Sequence, residues 1–549
     1  MALRTGMIFV VAVAALGVAC APTPPAPAAP AAPEPPARAP EAAPQPKRGG
    51  IFIFAQPAET PTLHPWKGSI ELTRALGPVY DQLVRLDHRE GFDFRRELEI
   101  KPGLSERWET ADPTTYIFHL RKNVKWHDGQ SFTADDVVYS LEAWTDAKVA
   151  PEPRRGAGAL IDSVEKMDQS TVKVRTKRPS SSFLFFIAFR RNAFVLPKHA
   201  EEPGKTLVGT GPFKVARADV SGVVAVERNP DYYKPGQPYL DGGKILSGLD
   251  RSAQTAAFIG KGMDLIQLSD KAQFDGLKRQ AADAKNTSFL GSTVFTMYMK
   301  QDRPPFNDVR VRRAAHLAID RQGLINTVTF GLGKPVPTGG HPVQGYAIPE
   351  EELLKLPGWR QPKDQDIAEA KRLLAEAGYP NGFKVNIQSI KDILAAPILE
   401  AMAPQLQKVG IDAQVVLNER AVFFKNRGDG SFEAYVAAAD TDPPIEGLTD
   451  FYHSKGTQNQ APINDPELDA LIEEADRTLD PQKASGLYQR IQRLMLEKVY
   501  SIPNVALPAF TLWHPWVNGL NIAYSAEVYV PQWENLWLDV DKAPRRSLQ

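Results

Sequence analysis

Cysteine is almost absent. The chain has one, Cys20, so no disulfide can form within it and no zinc site can rest on several thiolates. Sites built from His, Asp and Glu stay open. Net charge is missing as well: Lys plus Arg number 65 and Asp plus Glu 65. No overall field therefore draws nucleic acid or an anionic membrane. The N-terminal apolar run, Met7 to Val18, is too short for a bilayer, which takes about 20 residues. Internal repeats are not visible. The hydrolase signatures G-x-S-x-G and H-E-x-x-H are missing. Gly209-Thr210-Gly211-Pro212-Phe213 lacks the phosphate-loop pattern, and Pro212 removes an N–H where a cradle would need one.

What is present is ordinary globular material. The 549 residues are 43% apolar and 24% charged, enough for two or three domains. Arg4, the run Met7 to Val18 and a small-residue exit describe a secretory signal over residues 1–20. Leu16-Gly17-Val18-Ala19-Cys20 resembles a bacterial lipobox, with Leu16 one residue further from the cysteine than usual. It implies acylation of Cys20. The alternative is conventional cleavage at Ala19-Cys20-Ala21, which Pro22 opposes. Residues 21–48 are nearly all Ala and Pro up to Pro46, with nothing to build a core, so they read as a disordered tether. In extended polyproline form it reaches roughly 80 Å.

Beyond the tether, Gly49 to Phe54 reads as a first strand, and Ile70 to Arg85 has helical spacing. Tyr116 to Arg121 alternates like a strand. His127-Asp128-Gly129 makes a turn before a helix starting at Phe132, with Thr133 as N-cap and Asp136 completing a capping box. His127 and Asp128 tempt an acid/base reading, but that position favours local hydrogen bonds. Val164 to Pro179 reads as alternating strand and Phe183 to Phe189 as a buried apolar run. From Pro304 to Ile325 (PPFNDVRVRRAAHLAIDRQGLI) a loop meets an amphipathic helix capped by Asn307 or Asp308. Ile367 to Gly378 is helical and ends at Gly378 and Pro380. Leu468 to Ala475 and Tyr488 to Glu497 read as helices, and Ser501 to Leu507 as a last strand.

Several of these stretches carry a resemblance. The PGLSERWE segment, HLRKNVKWHDGQSFTADDVVYSL, the GTGPF segment, Pro304–Ile325 and the Ile367–Gly378 helix, in this order along the chain, resemble the extracellular solute-binding proteins of peptide/nickel-type ABC transporters, solute-binding family 5. The resemblance covers roughly residues 49 to 540. It implies a mixed α/β fold, a type II periplasmic-binding-protein clamshell with an additional domain on lobe one. Lobe one would comprise 49–80, 205–285 and 508–549, the extra domain 81–204, and lobe two 286–507.

The implied role is capture of a small solute, short oligopeptides first, for delivery to ABC permease subunits and their ATPases. The implied protein is a monomer without cofactor, metal or catalytic residues, with no nucleic-acid partner. It would sit in the periplasm or on the outer face of the cytoplasmic membrane, held only by the lipid on Cys20. Ala439-Asp440-Thr441-Asp442-Pro443 is similar to the family's "ADY-DP" segment, which makes Asp440 the position that pairs with a ligand ammonium. The segment is one residue shorter, and Ala437 and Ala438 stand where an aromatic is expected. Glu59 matches an acid lining the cleft. Other solutes stay open, namely a nickel chelate, haem, an oligosaccharide or an opine, with His64 a weak candidate for a chelate. A secreted hydrolase is the alternative of another class.

Overall fold

The structure is a computed structural model. It describes residues 45–56, 59, 62–68, 70–86, 100–151, 153, 156–189, 193–200, 202–219, 222–337, 346–391, 395–439, 444–520 and 533–548. Cys20, its signal segment and the tether up to residue 44 lie outside them, as does Asp440. Contacts gather 46–549 into one unit, separate from 1–45. At its start, Lys47 reaches Asp541 at 2.6 Å and Arg48 donates to the Gly236 carbonyl at 3.0 Å.

Strand β1 (Ile51–Gln56) is apolar on both faces and buried nearly throughout. That suits a strand with parallel neighbours on each side. Strands β2 (Val84–Leu86) and β3 (Ile100–Pro102) pair with each other. A four-stranded antiparallel sheet follows, in the order β4 (Ser105–Asp112), β5 (Thr115–Leu120), β7 (Thr171–Thr176), β6 (Ile161–Asp168). Then come β8 (Phe213–Ala218), β9 (Val223–Arg228), β10 (Gly242–Ser247), β11 (Leu265–Leu268) and the long β12 (Lys285–Met299). The two-residue β13 (Lys334–Pro335), β14 (Phe383–Ile390), β15 (Ile411–Asn418), β16 (Ala434–Ala439) and the long β17 (Ser501–Trp513) complete the large sheet. Its order is β15-β14-β16-β12-β17-β11-β1-β10-β9-β8, with β13 on β17.

The two long strands are shared. The first part of β12, Lys285–Leu290, pairs with Pro508–Trp513 of β17, whose other edge carries β11. The last part of β12, Val294–Tyr298, pairs with Ser501–Ala506, and its other edge carries β16. Between them the register shifts, because Leu290 faces Pro508 while Val294 faces Ala506. Proline has no N–H to give the ladder, so it belongs at such an irregularity.

Separate cores flank the two parts. Ile53, Ile266, Phe274, Phe510 and Leu512 pack on one side. Phe295, Met297, Ile319, Leu374, Ile398 and Ile502 pack on the other. The third and largest core runs from Phe54 and Trp66 through Phe118, Trp144 and Phe183 to Tyr435, Leu448 and Tyr488.

The expected local signals are present. Asp308 caps the helix Val309–Ala318, accepting from the Arg310 N–H at 2.8 Å. Thr133 and Asp136 form both halves of the capping box. Two elements differ. The helix expected over Ile70–Arg85 stops at Leu76; Pro78 brings no N–H to continue the ladder, and one last turn closes with the Tyr80 N–H on the Leu76 carbonyl at 3.1 Å. Just beyond it, the Pro78 and Val79 carbonyls accept from the Phe213 and Gly211 N–H groups at 3.1 and 2.9 Å. Glycine is required there, since a Cβ on Gly209 would lie 1.9 Å from the Val79 oxygen. The strand expected over Val164–Pro179 is the β6–β7 hairpin. Asp168 Oδ1 accepts from the Ser170 N–H at 2.7 Å and turns the chain. The apolar run Phe183–Phe189 is helical, and the last strand extends to Trp513.

Two arginines of the 304–325 stretch root β17. Buried Arg312 donates to the carbonyls of Phe306 at 2.8 Å and of Val499 and Lys498, both at 2.9 Å. Buried Arg321 donates to Pro503 O at 2.8 Å and Gly358 O at 2.6 Å, over the Trp359 ring. Burial lowers their pKa values, to about 10 and about 9 respectively, so both stay charged at neutral pH. A lysine at 312 would satisfy fewer of these carbonyls. Arg312→Lys is therefore expected to cost about 2–3 kcal/mol, read as a lower urea midpoint of the full chain; an unchanged midpoint would contradict this role.

Candidate binding site at the converging strand ends

Parallel strands present their carboxyl ends together, and in open α/β sheets those ends form the ligand-binding edge. Here two such sets exist. β1 runs parallel to β10 and β11, and β11 lies antiparallel to β17 with Leu268 opposite Phe510. The ends Gln56, Ser247 and Leu268 therefore run toward the middle of β17. On the other side, β14 is parallel to both β15 and β16, and Ala439 at the end of β16 lies opposite Val294 of β12. Both sets thus run toward the register shift between β12 and β17, from opposite directions.

The first set carries polar groups. Gln56 closes the apolar run of β1 and is fully buried. Its Nε2 donates to Ser247 Oγ at 2.9 Å, while its Oε1 has no partner among the described residues. Glu59 follows and is exposed. It packs against Gly248, where a Cβ would lie 3.1 Å from Glu59 Cγ. Gly248 has φ +75°, a conformation that favours glycine. Glu59 thus stands beside the ends of both β1 and β10. Gln56 escaped notice in the sequence; its only signal is an amide ending an otherwise apolar strand.

On the second set, Ala437 is buried and Ala438 exposed, opposite Thr296 and Phe295 of β12. Their methyl groups leave more room than an aromatic ring would. Asp440 is next in the chain and lies outside the described residues, so the structure does not bring Asp440 and Glu59 together or hold them apart.

His64 is half-buried, and burial lowers its pKa. Its Nδ1 already accepts from the Trp66 N–H at 3.2 Å. No group of three His, Cys, Asp or Glu poised for a metal occurs among the described residues.

The tempting His127-Asp128 pair is a structural clamp. His127 Nδ1 accepts from the Gly209 N–H at 3.2 Å, and Nε2 lies 3.0 Å from the Gly211 carbonyl. Asp128 instead bonds His199 at 2.6 Å. At His453, Ser454 Oγ donates directly to Asp469, and the His453 Nδ1 is taken by the Lys455 N–H at 3.1 Å. The imidazole therefore does not stand between hydroxyl and carboxylate, as a nucleophilic triad requires. A cavity of about 640 Å³ includes His316, Trp359 and Arg493 in its lining, with no residue from the strand ends.

Residues 99–459 match the model of the bacterial extracellular solute-binding proteins, family 5 Middle. The chain is 26% identical over 470 residues to the periplasmic oligopeptide-binding protein OppA of Escherichia coli, covering 78% of this chain and 84% of that one. It is 28% identical over 487 residues to the heme-binding protein A of Haemophilus influenzae, covering 80% and 84%. In fold it resembles the ABC transporter-associated periplasmic binding protein DppA of Helicobacter pylori in complex with the peptide STSA. That likeness has a TM-score of 0.75 at 23% identity, over 90% of this chain and 99% of that one.

Burial lowers the His127 pKa to about 4, although its bond to the Gly211 carbonyl favours the charged ring. The unfolded chain, with an ordinary value of 6.5, then binds a proton that the folded one refuses, so stability falls as pH drops from 6.5 toward 4. His127→Gln is expected to flatten urea midpoints across that window and to leave solute retention unchanged. An equal slope, or loss of the solute, would contradict the clamp.

Proposed function

We propose, from the premise that this chain belongs to the family 5 bacterial extracellular solute-binding proteins, that the solute it captures for an ABC importer is a short oligopeptide. The single observation behind capture between two halves is the convergence of the two sets of strand ends on the β12–β17 register shift. Two lobes, divided as the sequence implies, would hinge where the two long strands cross between them, since a few such residues can absorb closure. Closing buries the solute and removes water from its polar contacts.

Asp440 would pair with the peptide's ammonium, each charge offsetting the other's desolvation. Glu59, beside Gly248, would face the solute from the opposite lobe. The peptide-binding relative and the peptide complex of similar fold support the solute class. Ala437 and Ala438 would leave a slot tolerant of large side chains. The mature protein would be a monomer, anchored through acylated Cys20 and otherwise outside the membrane; among the described residues no helix is long and apolar enough to cross one.

Mass spectrometry of whatever co-purifies with the full chain tests the solute class. Short peptides are expected; haem, a nickel chelate, an oligosaccharide or an opine would overturn it. With tri-L-alanine as probe, Asp440→Ala should weaken binding by about 2–5 kcal/mol in titration calorimetry, and an unchanged affinity would remove Asp440 from the site.

A further inference from the structure

The turn joining β7 to the helix Phe183–Phe189 is tied to a residue almost 300 positions away. Asp476 sits in the last turn of the helix Pro466–Arg477 and is 3% exposed. Its Oδ1 accepts from Ser180 Oγ at 2.9 Å and Ser182 Oγ at 2.8 Å, and its Oδ2 accepts from Arg178. Its backbone carbonyl accepts from the Ser181 N–H at 2.7 Å. The Ser180 carbonyl in turn takes the Tyr116 hydroxyl at 3.3 Å, and the two serine hydroxyls lie 2.9 Å apart. Tyr488, from the neighbouring helix Pro481–Lys498, bonds the side chain of Ser181.

The two sides of this contact belong to different parts of the sheet system. The turn 178–182 extends the four-stranded sheet β4-β5-β7-β6. Asp476 belongs to helices inserted between β16 and β17. The chain crosses between the two halves of the large sheet along β12 and returns along β17. A carboxylate buried this completely needs its full set of donors, and among the described residues the donors to its oxygens, Arg178, Ser180 and Ser182, all come from the other side. Such a site is favourable when the two sides meet. When they part, the carboxylate and the serine hydroxyls return to water. Around it, Tyr116, Phe183, Leu471, Ile472 and Ala475 belong to one buried apolar core.

We infer that Arg178, Ser180 and Ser182 with Asp476 form a clasp that engages when the extra domain meets the second lobe and disengages when the molecule opens, so that it sets the open–closed balance and the residence time of the solute. The inference rests on the two-lobed reading above. The clasp touches neither strand-end set, so it would act on closure without contributing to solute selectivity.

The test uses the full chain, stripped of solute, as wild type, Asp476→Ala and the double variant Ser180→Ala/Ser182→Ala. Small-angle scattering and release of labelled tri-L-alanine are measured, with circular dichroism checking the fold. Both variants should scatter as more open particles than the wild type without solute, and should release the probe about tenfold faster or more, with the preference among peptides unchanged. Native-like variants with wild-type scattering and wild-type release would overturn the clasp and leave the transport reading standing. A wild type that binds neither tri-L-alanine nor a co-purified peptide would defeat the peptide reading, while the scattering comparison would still decide the clasp: equal profiles reject it, and a more open variant supports it.

Discussion

The pairing of β12 with β17 is the constraint on which the rest depends. One ladder serves two half-sheets, so neither half can be completed without strands that also complete the other. A continuous antiparallel pair would weld the halves rigidly. The register shift opposite Pro508 interrupts it at the level where the two sets of carboxyl ends converge. The candidate site and the weak point of the ladder therefore coincide, and a solute lodged there would feel any bending of the ribbon.

The proposed hinge requires the ribbon to be held firmly on either side of it. On one side, Arg312 and Arg321 grip backbone carbonyls at 498–503. On the other, Asp264 is completely buried and accepts from the Ile53 N–H and the Trp516 indole, both at 2.7 Å, and from Arg546. That carboxylate ties β1, the segment after β17 and the C-terminal segment together. Charged groups serve as rivets here because each meets several fixed partners, which offset the cost of its burial. Glu534 repeats the device with Arg85 at 2.6 Å and Lys234 at 3.0 Å. Burial alone would raise its pKa, yet these two cations draw it down to about 2.

Local features were legible in the sequence because their causes are local. The Thr133–Asp136 box and the Asp308 cap each carry the reason for their shape in a few residues. The helix break at Gly77-Pro78 was equally local but was masked by the helical spacing of the apolar residues around it. Distant partners were not legible. Nothing near Arg312 says that it will seek carbonyls at 498 and 499, and nothing near Asp476 points to three serines at 180–182. Of the site, Glu59 came from family likeness and stands beside two strand ends. Gln56 was hidden because its significance depends on Ser247, a neighbour made by the sheet.

Hydrogen exchange, followed by mass spectrometry on the full chain with and without its co-purified solute, tests the central claim most directly. Solute should slow exchange together in peptides covering Gln56–Glu59, Gly248, 436–443 and the β12 segment 290–294. Protection confined to one half-sheet, or appearing instead around the cavity of His316 and Trp359, would contradict the account.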